Sequence, residues 1–228
     1  MFLARPLPAH PLVQCLVLSL FLWAGGCQAH SSHSASTTPP AAGAAKNDKS
    51  AQKHLYRLNP KPQKGYEVVL TIQDAPGPFQ KMGWSGMYQA TGCNFIVNDW
   101  AGVRGMPERL LQIPFTVRPD GSQVATVYLD AMLDEDYYGN GVCQWTLTSA
   151  GPWMQASGAS EETSFSVDLT PEQLQAERPM KLLYWKGYYP RADVEGFITW
   201  GNANQEKFAE GVRDKLFSMT LKPTKVQR

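Results

Sequence analysis

Residues 65–74, with the sequence GYEVVLTIQD, decide the fold class of this chain. Apolar side chains recur there at every second position: Tyr66, Val68, Leu70 and Ile72. Successive side chains of a β-strand point to opposite faces, so a period of two predicts a strand with one buried face. Half-buried strands of this kind are typical of antiparallel sheets.

The same alternation recurs further along the chain. It is clearest in QVATVYLDAML (residues 123–133) and VCQWTLTSAG (residues 142–151). The turn-forming runs DAPGPF, RPDGS and YGNGV separate the apolar segments. Shorter strands are predicted at residues 110–117, 164–169, 181–185, 197–200 and 217–222. Many short strands with turns between them predict a mainly β fold, an antiparallel β-sandwich spanning residues 65–223.

Two segments have helical signals. Asn204 can cap a run in which Phe208, Val212 and Leu216 share a face, which predicts one C-terminal helix. In TPEQL, Thr170 offers a cap and the next residue is a proline, the residue favoured at the first position of a helix. A short helical turn is therefore predicted there.

The first 26 residues have the organisation of a lipoprotein signal peptide. Arg5 supplies a positive charge before an apolar run at residues 12–23, which is too short to span a bilayer as a helix. The following AGGC resembles the bacterial lipobox, with Ala24 where leucine is commonest. This resemblance predicts acylation of Cys27, for example by palmitate. The alternative is an ordinary signal peptide cleaved nearby.

Acylation of Cys27 predicts a domain anchored by lipid on the periplasmic face of the cell envelope. Gln28 is not the Asp that favours the inner membrane, so the outer membrane is the predicted destination. Residues 27–64 are rich in Ser, Thr, Ala, Pro and Lys, and such a composition cannot offset its ordering entropy by burial. We expect a flexible tether with a typical span of about 30 Å.

Cysteine usage agrees with export. Apart from Cys15 in the signal peptide and Cys27, the chain has Cys93 and Cys143. Two thiols in an oxidising compartment predict one disulfide bond. Closing a loop of about 50 residues would stabilise the fold by roughly 4 kcal/mol in the chain-entropy model.

Composition excludes several classes of function. The chain has 21 basic and 20 acidic residues and no basic patch interleaved with aromatics, so nucleic acid is not an expected partner. All of its histidines precede the predicted sandwich domain: His10, His30, His33 and His54. The domain therefore has no histidine base for a Ser or Cys nucleophile and no histidine ligand for zinc. We predict a protein without enzymatic activity and without a cofactor.

One stretch, MLDEDYYGNGVCQW (residues 132–145), concentrates polar chemistry. Its acids could form a catalytic carboxylate pair, but consecutive residues seldom face each other across a substrate. A calcium loop is a second interpretation, although the spacing does not match the usual ligand pattern. A solvated turn that protects a sheet edge is a third. The fourth is a partner-recognition edge, formed by Asp134, Glu135, Asp136, Tyr137 and Tyr138, and no metal site is assigned.

Two segments together, DAPGPF and LDEDYYGNGVCQW, resemble a family of small bacterial periplasmic lipoproteins. These are encoded beside type VI secretion effectors, including phospholipases, and are regarded as immunity or accessory proteins. The resemblance covers residues 65–151 and continues in outline to YWKGYYPRAD. It implies binding and neutralisation of a secreted effector. The alternative is an envelope lipoprotein that binds a small ligand, a cell-wall component or calcium.

Overall fold

A computed structural model of the protein describes residues 55–227. The strands in this range, in chain order, are β1 (Gly65–Gln73), β2 (Lys81–Thr91), β3 (Phe95–Asn98), β4 (Val103–Gly105), β5 (Glu108–Gln112), β6 (Phe115–Val117), β7 (Gln123–Tyr128), β8 (Gln144–Gln155), β9 (Ser164–Ser166), β10 (Met180–Trp185), β11 (Ile198–Thr199) and β12 (Leu216–Lys225). Helix α1 spans Pro171–Gln175, and single 3-10 turns lie at Lys186–Tyr188, Gln205–Lys207 and Glu210–Val212.

The strands form two five-stranded sheets and one separate hairpin. The first sheet has the order β10-β12-β1-β7-β6, and the second has the order β11-β9-β8-β2-β5. Strands β3 and β4 pair only with each other among the described strands. All neighbours are antiparallel except β9 and β11. The predicted mainly β sandwich is confirmed.

Side chains from the two sheets meet in a shared core. The Trp84 indole on β2 donates to Gln123 Oε1 on β7 at 2.8 Å. The Tyr184 hydroxyl on β10 donates to Ser166 O on β9 at 2.7 Å. Each bond joins one sheet to the other and pairs a polar group that burial would otherwise leave unsatisfied. The aromatic side chains with almost no exposed surface are Trp84, Tyr88, Phe165, Tyr184 and Phe217.

The prediction of a single strand at residues 110–117 is wrong in its extent. This segment is divided into β5 in the second sheet and β6 in the first. Pro114 lies between them and has no N–H to continue a ladder. Ile113 still donates to Trp84 O at 2.8 Å, so the chain leaves the second sheet at that residue.

The predicted C-terminal helix takes the form of 3-10 turns rather than a continuous α-helix. Asn204 caps the first turn, its side chain accepting from Glu206 N at 2.8 Å. The run then breaks because Phe208 is extended and Gly211 has a low helix propensity. The predicted turn after Thr170 is helix α1, which begins with a reciprocal capping box to Gln173.

Residues 55–64, which we name the N-terminal strap, pack against the sandwich. Tyr56 is 8% exposed, and Leu58 forms an antiparallel bridge with Met132. Asn59 N donates to Ala131 O at 2.8 Å. These residues are bonded to the folded domain and Tyr56 is buried in it, so residues 55–64 are not part of the free tether that the sequence predicts.

The remaining N-terminal predictions lie outside the described residues. They are the signal peptide at residues 1–26, acylation of Cys27 and the tether up to residue 54. In the part of the chain that the structure describes, no helix is both long enough and apolar enough to cross a membrane.

Candidate functional site

Residues 134–141, here called the acidic loop, lie between residues 131–133, which bond to the strap, and β8. Asp134 Oδ1 accepts from the backbone N–H of Trp145 at 2.8 Å, which holds the loop against the start of β8. Glu135 forms a two-pronged pair with Arg57 of the strap, in which Arg57 Nε lies 2.8 Å from Glu135 Oε2. This pair is largely exposed, so it orients the strap more than it stabilises the fold.

Asp136 organises the turn of the acidic loop. Its Oδ1 accepts from the backbone N–H groups of Tyr138, Gly139 and Asn140, the shortest at 2.7 Å, and its Oδ2 accepts from Gly141 at 3.4 Å. Desolvation raises the pKa of this exposed carboxyl, but the four N–H donors outweigh that effect and the net pKa is lowered. The carboxylate is therefore a structural anion that holds the turn closed.

The two tyrosines of the loop are partly buried against the strap. Tyr137 donates to Leu133 O at 2.7 Å, and its ring meets Tyr56 edge-on with centroids 5.4 Å apart. The Tyr138 and Tyr56 hydroxyls are hydrogen-bonded to each other. Burial is the main cause that raises the pKa of both hydroxyls, so both remain protonated at neutral pH. The contacts of Tyr137 and Tyr138 with Tyr56 hold the acidic loop against the strap.

The predicted disulfide is confirmed, with the Cα atoms of Cys93 and Cys143 4.9 Å apart. Beside it, the backbone segments approach so closely that only glycine fits. A Cβ on Gly141, which has φ of 125°, would lie 2.8 Å from Gly92 O. A Cβ on Gly92 would lie 2.9 Å from Val142 O. The disulfide and two glycines thus fasten the end of the acidic loop to the segment that enters β3.

Residues 95–105, here called the tryptophan hairpin, comprise β3, β4 and the turn between them. Asn98 Oδ1 accepts from Ala101 N at 3.0 Å, and Gly102 N donates to Asp99 O at 3.2 Å. Trp100 occupies this turn with 96% of its surface exposed. Further apolar side chains exposed on the hairpin or just after it are Ile96, Val103 and Met106.

The acidic loop supports the base of the tryptophan hairpin. The ring of Phe95 packs against Tyr138 with centroids 6.1 Å apart. Asn140 Nδ2 donates to Asn94 O at 2.8 Å. Together with the disulfide, these contacts fix where the hairpin leaves the domain.

The structure brings all five predicted recognition residues into one cluster. However, each of the three acids accepts hydrogen bonds from the chain itself, and both tyrosines are packed and paired. Their recognition role stays a prediction, whereas their structural role is direct. Trp100 was not among the predicted site residues. The sequence feature that could have indicated its exposure is a single tryptophan inside the turn-forming sequence NDWAG.

A groove of about 450 Å³ lies beside the strap and is lined in part by Asp134 of the acidic loop. Its lining includes Lys64 of the strap, Leu129, Trp145 and Gln175 of α1. Trp145 is 7% exposed, and its indole N–H has no hydrogen-bond partner in the described structure. Within residues 55–227, no three His, Cys, Asp or Glu side chains are grouped so as to hold a metal ion.

Comparison of the chain with protein-family models, with curated proteins and with solved structures finds no match in any of the three.

Proposed function

We propose that this protein is an exported, lipid-anchored binding protein without enzymatic activity, and that it recognises a protein partner through the tryptophan hairpin. The observation that carries the proposal is the 96% exposure of Trp100 at the tip of a fastened hairpin. Tryptophan is enriched among the residues that dominate binding energy at protein interfaces. An exposed apolar cluster on a folded domain marks an interaction surface.

The fixed base of the hairpin supports recognition of a folded partner. The disulfide, the Asn140–Asn94 bond and the Phe95–Tyr138 contact restrict the hairpin before any partner arrives. A restricted binding element loses less conformational entropy when it binds, so more of its contact energy becomes affinity. The acidic loop therefore contributes by holding the hairpin in place.

The partner that we propose is a type VI secretion effector encoded beside the gene of this protein. This choice follows the resemblance of DAPGPF and LDEDYYGNGVCQW to periplasmic immunity lipoproteins. Binding would neutralise the effector in the periplasm. A lipid anchor at Cys27 would hold the domain where the effector arrives, without any need for catalysis.

The test uses the purified mature protein, the effector encoded next to it, and two matched variants. Trp100→Ala should weaken effector binding by about 2 kcal/mol, or roughly 30-fold, and reduce protection against effector toxicity. Trp200→Ala is the control, because Trp200 is also exposed but lies far from the hairpin in the sheet order. The hairpin leads into β5 at one edge of the second sheet, whereas Trp200 follows β11 at the other edge. It should leave binding unchanged.

Three results would contradict the proposal. The neighbouring effector could fail to bind the wild-type protein, the two tryptophan variants could lose affinity equally, or Trp100→Ala could retain full affinity. Calorimetry gives the affinities, and survival of cells producing the effector in the periplasm gives the protection.

A second candidate function is the binding of a small envelope ligand in the groove beside the strap. Its volume of about 450 Å³ falls within the range of small-molecule sites, about 300–1,000 Å³. The unpaired indole N–H of Trp145 is the observation that favours it. Soluble cell-wall fragments should then raise the melting temperature of the wild type but not of Trp145→Phe. An equal response of both proteins removes this candidate.

A further inference from the structure

Strand β5 is the terminal strand of the second sheet, and its hydrogen-bonding pattern is fixed at both ends. Ile113 N donates to Trp84 O at 2.8 Å just after β5. Ala90 N donates to Pro107 O at 2.9 Å just before it. In an antiparallel pair, residues that bond to the neighbouring strand alternate with residues that do not. Odd-numbered residues of this segment therefore bond to β2.

The even-numbered residues direct their backbone groups away from the sheet. These are Glu108, Leu110 and Gln112, whereas Arg109 and Leu111 bond to β2. No strand among residues 55–227 pairs with the outer side of β5. A row of unpaired N–H and C=O groups is a ready template for one more strand.

Exposed apolar side chains lie both on this edge and between it and the tryptophan hairpin. Leu110 is 52% exposed, and Met106 between β4 and β5 is 56% exposed. The chain passes from the hairpin into β5 through two residues, Met106 and Pro107. A segment lying along β5 would therefore end close to the point where the chain leaves the hairpin.

Within residues 55–227, the guanidinium Nε of Arg109 at this edge has no hydrogen-bond partner. Arg109 pairs with Tyr88 across the strands and shares its face of the sheet, which is the buried face. Its Nε is buried without a hydrogen bond, and no ion pair joins it to another residue in the described range. A buried donor without an acceptor is costly, and a carboxylate is the acceptor that matches a guanidinium.

We propose that an extended segment of the protein partner adds to β5 as an antiparallel sixth strand, with Asp or Glu opposite Arg109 and apolar residues on either side. Directly opposite residues of such a pair have Cβ atoms about 4.5–5.5 Å apart, so the carboxylate reaches the guanidinium. The neighbouring apolar side chains cover Leu110. This inference rests on the proposed function and specifies how the same partner is held.

Amide hydrogen exchange of the full mature protein, alone and with the neighbouring effector, tests the added strand directly. The amides of Glu108, Leu110 and Gln112 should become protected in the complex, because their N–H groups are the ones that face outward. Binding of the effector without protection of these three amides would overturn the inference while leaving the proposed function intact.

A pair of substitutions at one position separates main-chain pairing from side-chain contact. Leu110→Pro removes an outward N–H, and proline is tolerated on an edge strand when its missing donor faces solvent. Leu110→Ala removes the apolar side chain but keeps the N–H. Leu110→Pro should bind about tenfold more weakly than Leu110→Ala. Equal affinities would overturn the strand pairing, and amide exchange decides the matter if Leu110→Pro does not fold.

The carboxylate is tested by Arg109→Gln, with Arg191→Gln as the matched control. Arg191 is exposed and lies beside Pro190, whose carbonyl accepts from Thr163 next to β9, far from β5 in the sheet order. Arg109→Gln should weaken binding roughly 10- to 100-fold, because a charge-assisted pair is lost. Equal effects of the two changes would overturn the role of Arg109.

Self-pairing of two β5 strands is the competing occupant. Sedimentation of the protein without the effector should show a monomer at micromolar concentration. A dimer that Leu110→Pro dissociates would overturn the inference in favour of a second copy of this chain.

The two proposals can fail separately. If Trp100→Ala has no effect on effector binding while the amides of Glu108, Leu110 and Gln112 are still protected, the hairpin proposal fails and the strand pairing stands.

Discussion

The acidic loop and the tryptophan hairpin lie side by side, and they differ in what they leave available to a partner. The loop is rich in charge, yet its three carboxylates accept bonds from Arg57, from Trp145 and from the turn that follows. The hairpin carries few charges, yet Trp100 contacts almost nothing. Charge in a sequence therefore does not mark a binding surface until its hydrogen bonds are accounted for.

This contrast predicts a division between stability and recognition. Changes in the loop should lower the free energy of unfolding, and changes at the hairpin tip should leave it almost unchanged. Four measurements on the mature protein test the division, and they are ordered by the expected loss of stability.

Removing the disulfide should have the largest effect. The bond closes a loop with a sequence separation of 50 residues, and its loss should lower the free energy of unfolding by about 4 kcal/mol. The change is Cys93→Ala with Cys143→Ala, measured by chemical denaturation. Reduction of the wild type is the control and should give a similar loss. A reduced protein as stable as the oxidised one would show that the loop and the hairpin base are held without the bond.

Gly141→Ala should follow, with Gly139→Ala as its control. Both glycines have positive φ, but only Gly141 faces a backbone oxygen, Gly92 O, at 2.8 Å from an added Cβ. Gly139→Ala should cost about 1 kcal/mol from backbone strain alone. Gly141→Ala should cost more, about 2–3 kcal/mol, because the clash adds to the strain. Equal losses of unfolding free energy would mean that the close approach to Gly92 is not essential.

Asp136→Asn should have a smaller effect that depends on pH. The folded-state pKa of Asp136 is lowered, so its stabilising contribution is present above the unfolded pKa of about 3.9 and is lost as pH falls through the lower folded value. The variant should therefore lose less stability than the wild type on acidification from pH 5. Glu162, whose pKa is also lowered by backbone N–H groups, is present in both proteins. The stability of both should therefore still fall as the pH is lowered, but less steeply in the variant. Identical acid denaturation curves would contradict the structural role of this carboxylate.

Trp100→Ala should have the smallest effect on stability. Since the side chain is 96% exposed, the free energy of unfolding should change by less than about 0.5 kcal/mol. Thermal and chemical denaturation of the same preparation used for binding provide the measurement. A clear loss of stability would show that the hairpin tip packs on the domain and would weaken the contrast with the loop.

Strands with regular alternation could be predicted from the sequence, and β2 could not. Strands β1, β7 and β8 place large apolar residues on one face, which makes their period visible. In β2 the inward positions alternate between large and small, as in Trp84, Gly86 and Tyr88. A side chain at Gly83 would meet the Trp153 ring at 2.8 Å. Close packing of this kind depends on the neighbouring strand and leaves little signal in a hydrophobic pattern.

The candidate site also has a part that could be predicted from the sequence and a part that could not. The bonds from Asp136 to residues 138–141 are local, and the glycines of the turn could be recognised from the sequence. The pair between Arg57 and Glu135 joins residues that are 78 positions apart, so no local pattern contains it. The exposure of Trp100 was equally hidden, because a tryptophan in a short strand or turn is as compatible with a core as with a surface.

The position of β12 also governs how the domain can assemble. It lies between β10 and β1, and Tyr66 near the start of the domain pairs with Lys225 near its end. The first sheet therefore cannot close until β12 is present. Contacts so distant along the chain slow the folding of all-β domains to milliseconds or seconds. A nascent chain that stops before Leu216 would leave β1 and β10 without their shared neighbour, so folding of this domain must follow the synthesis of β12.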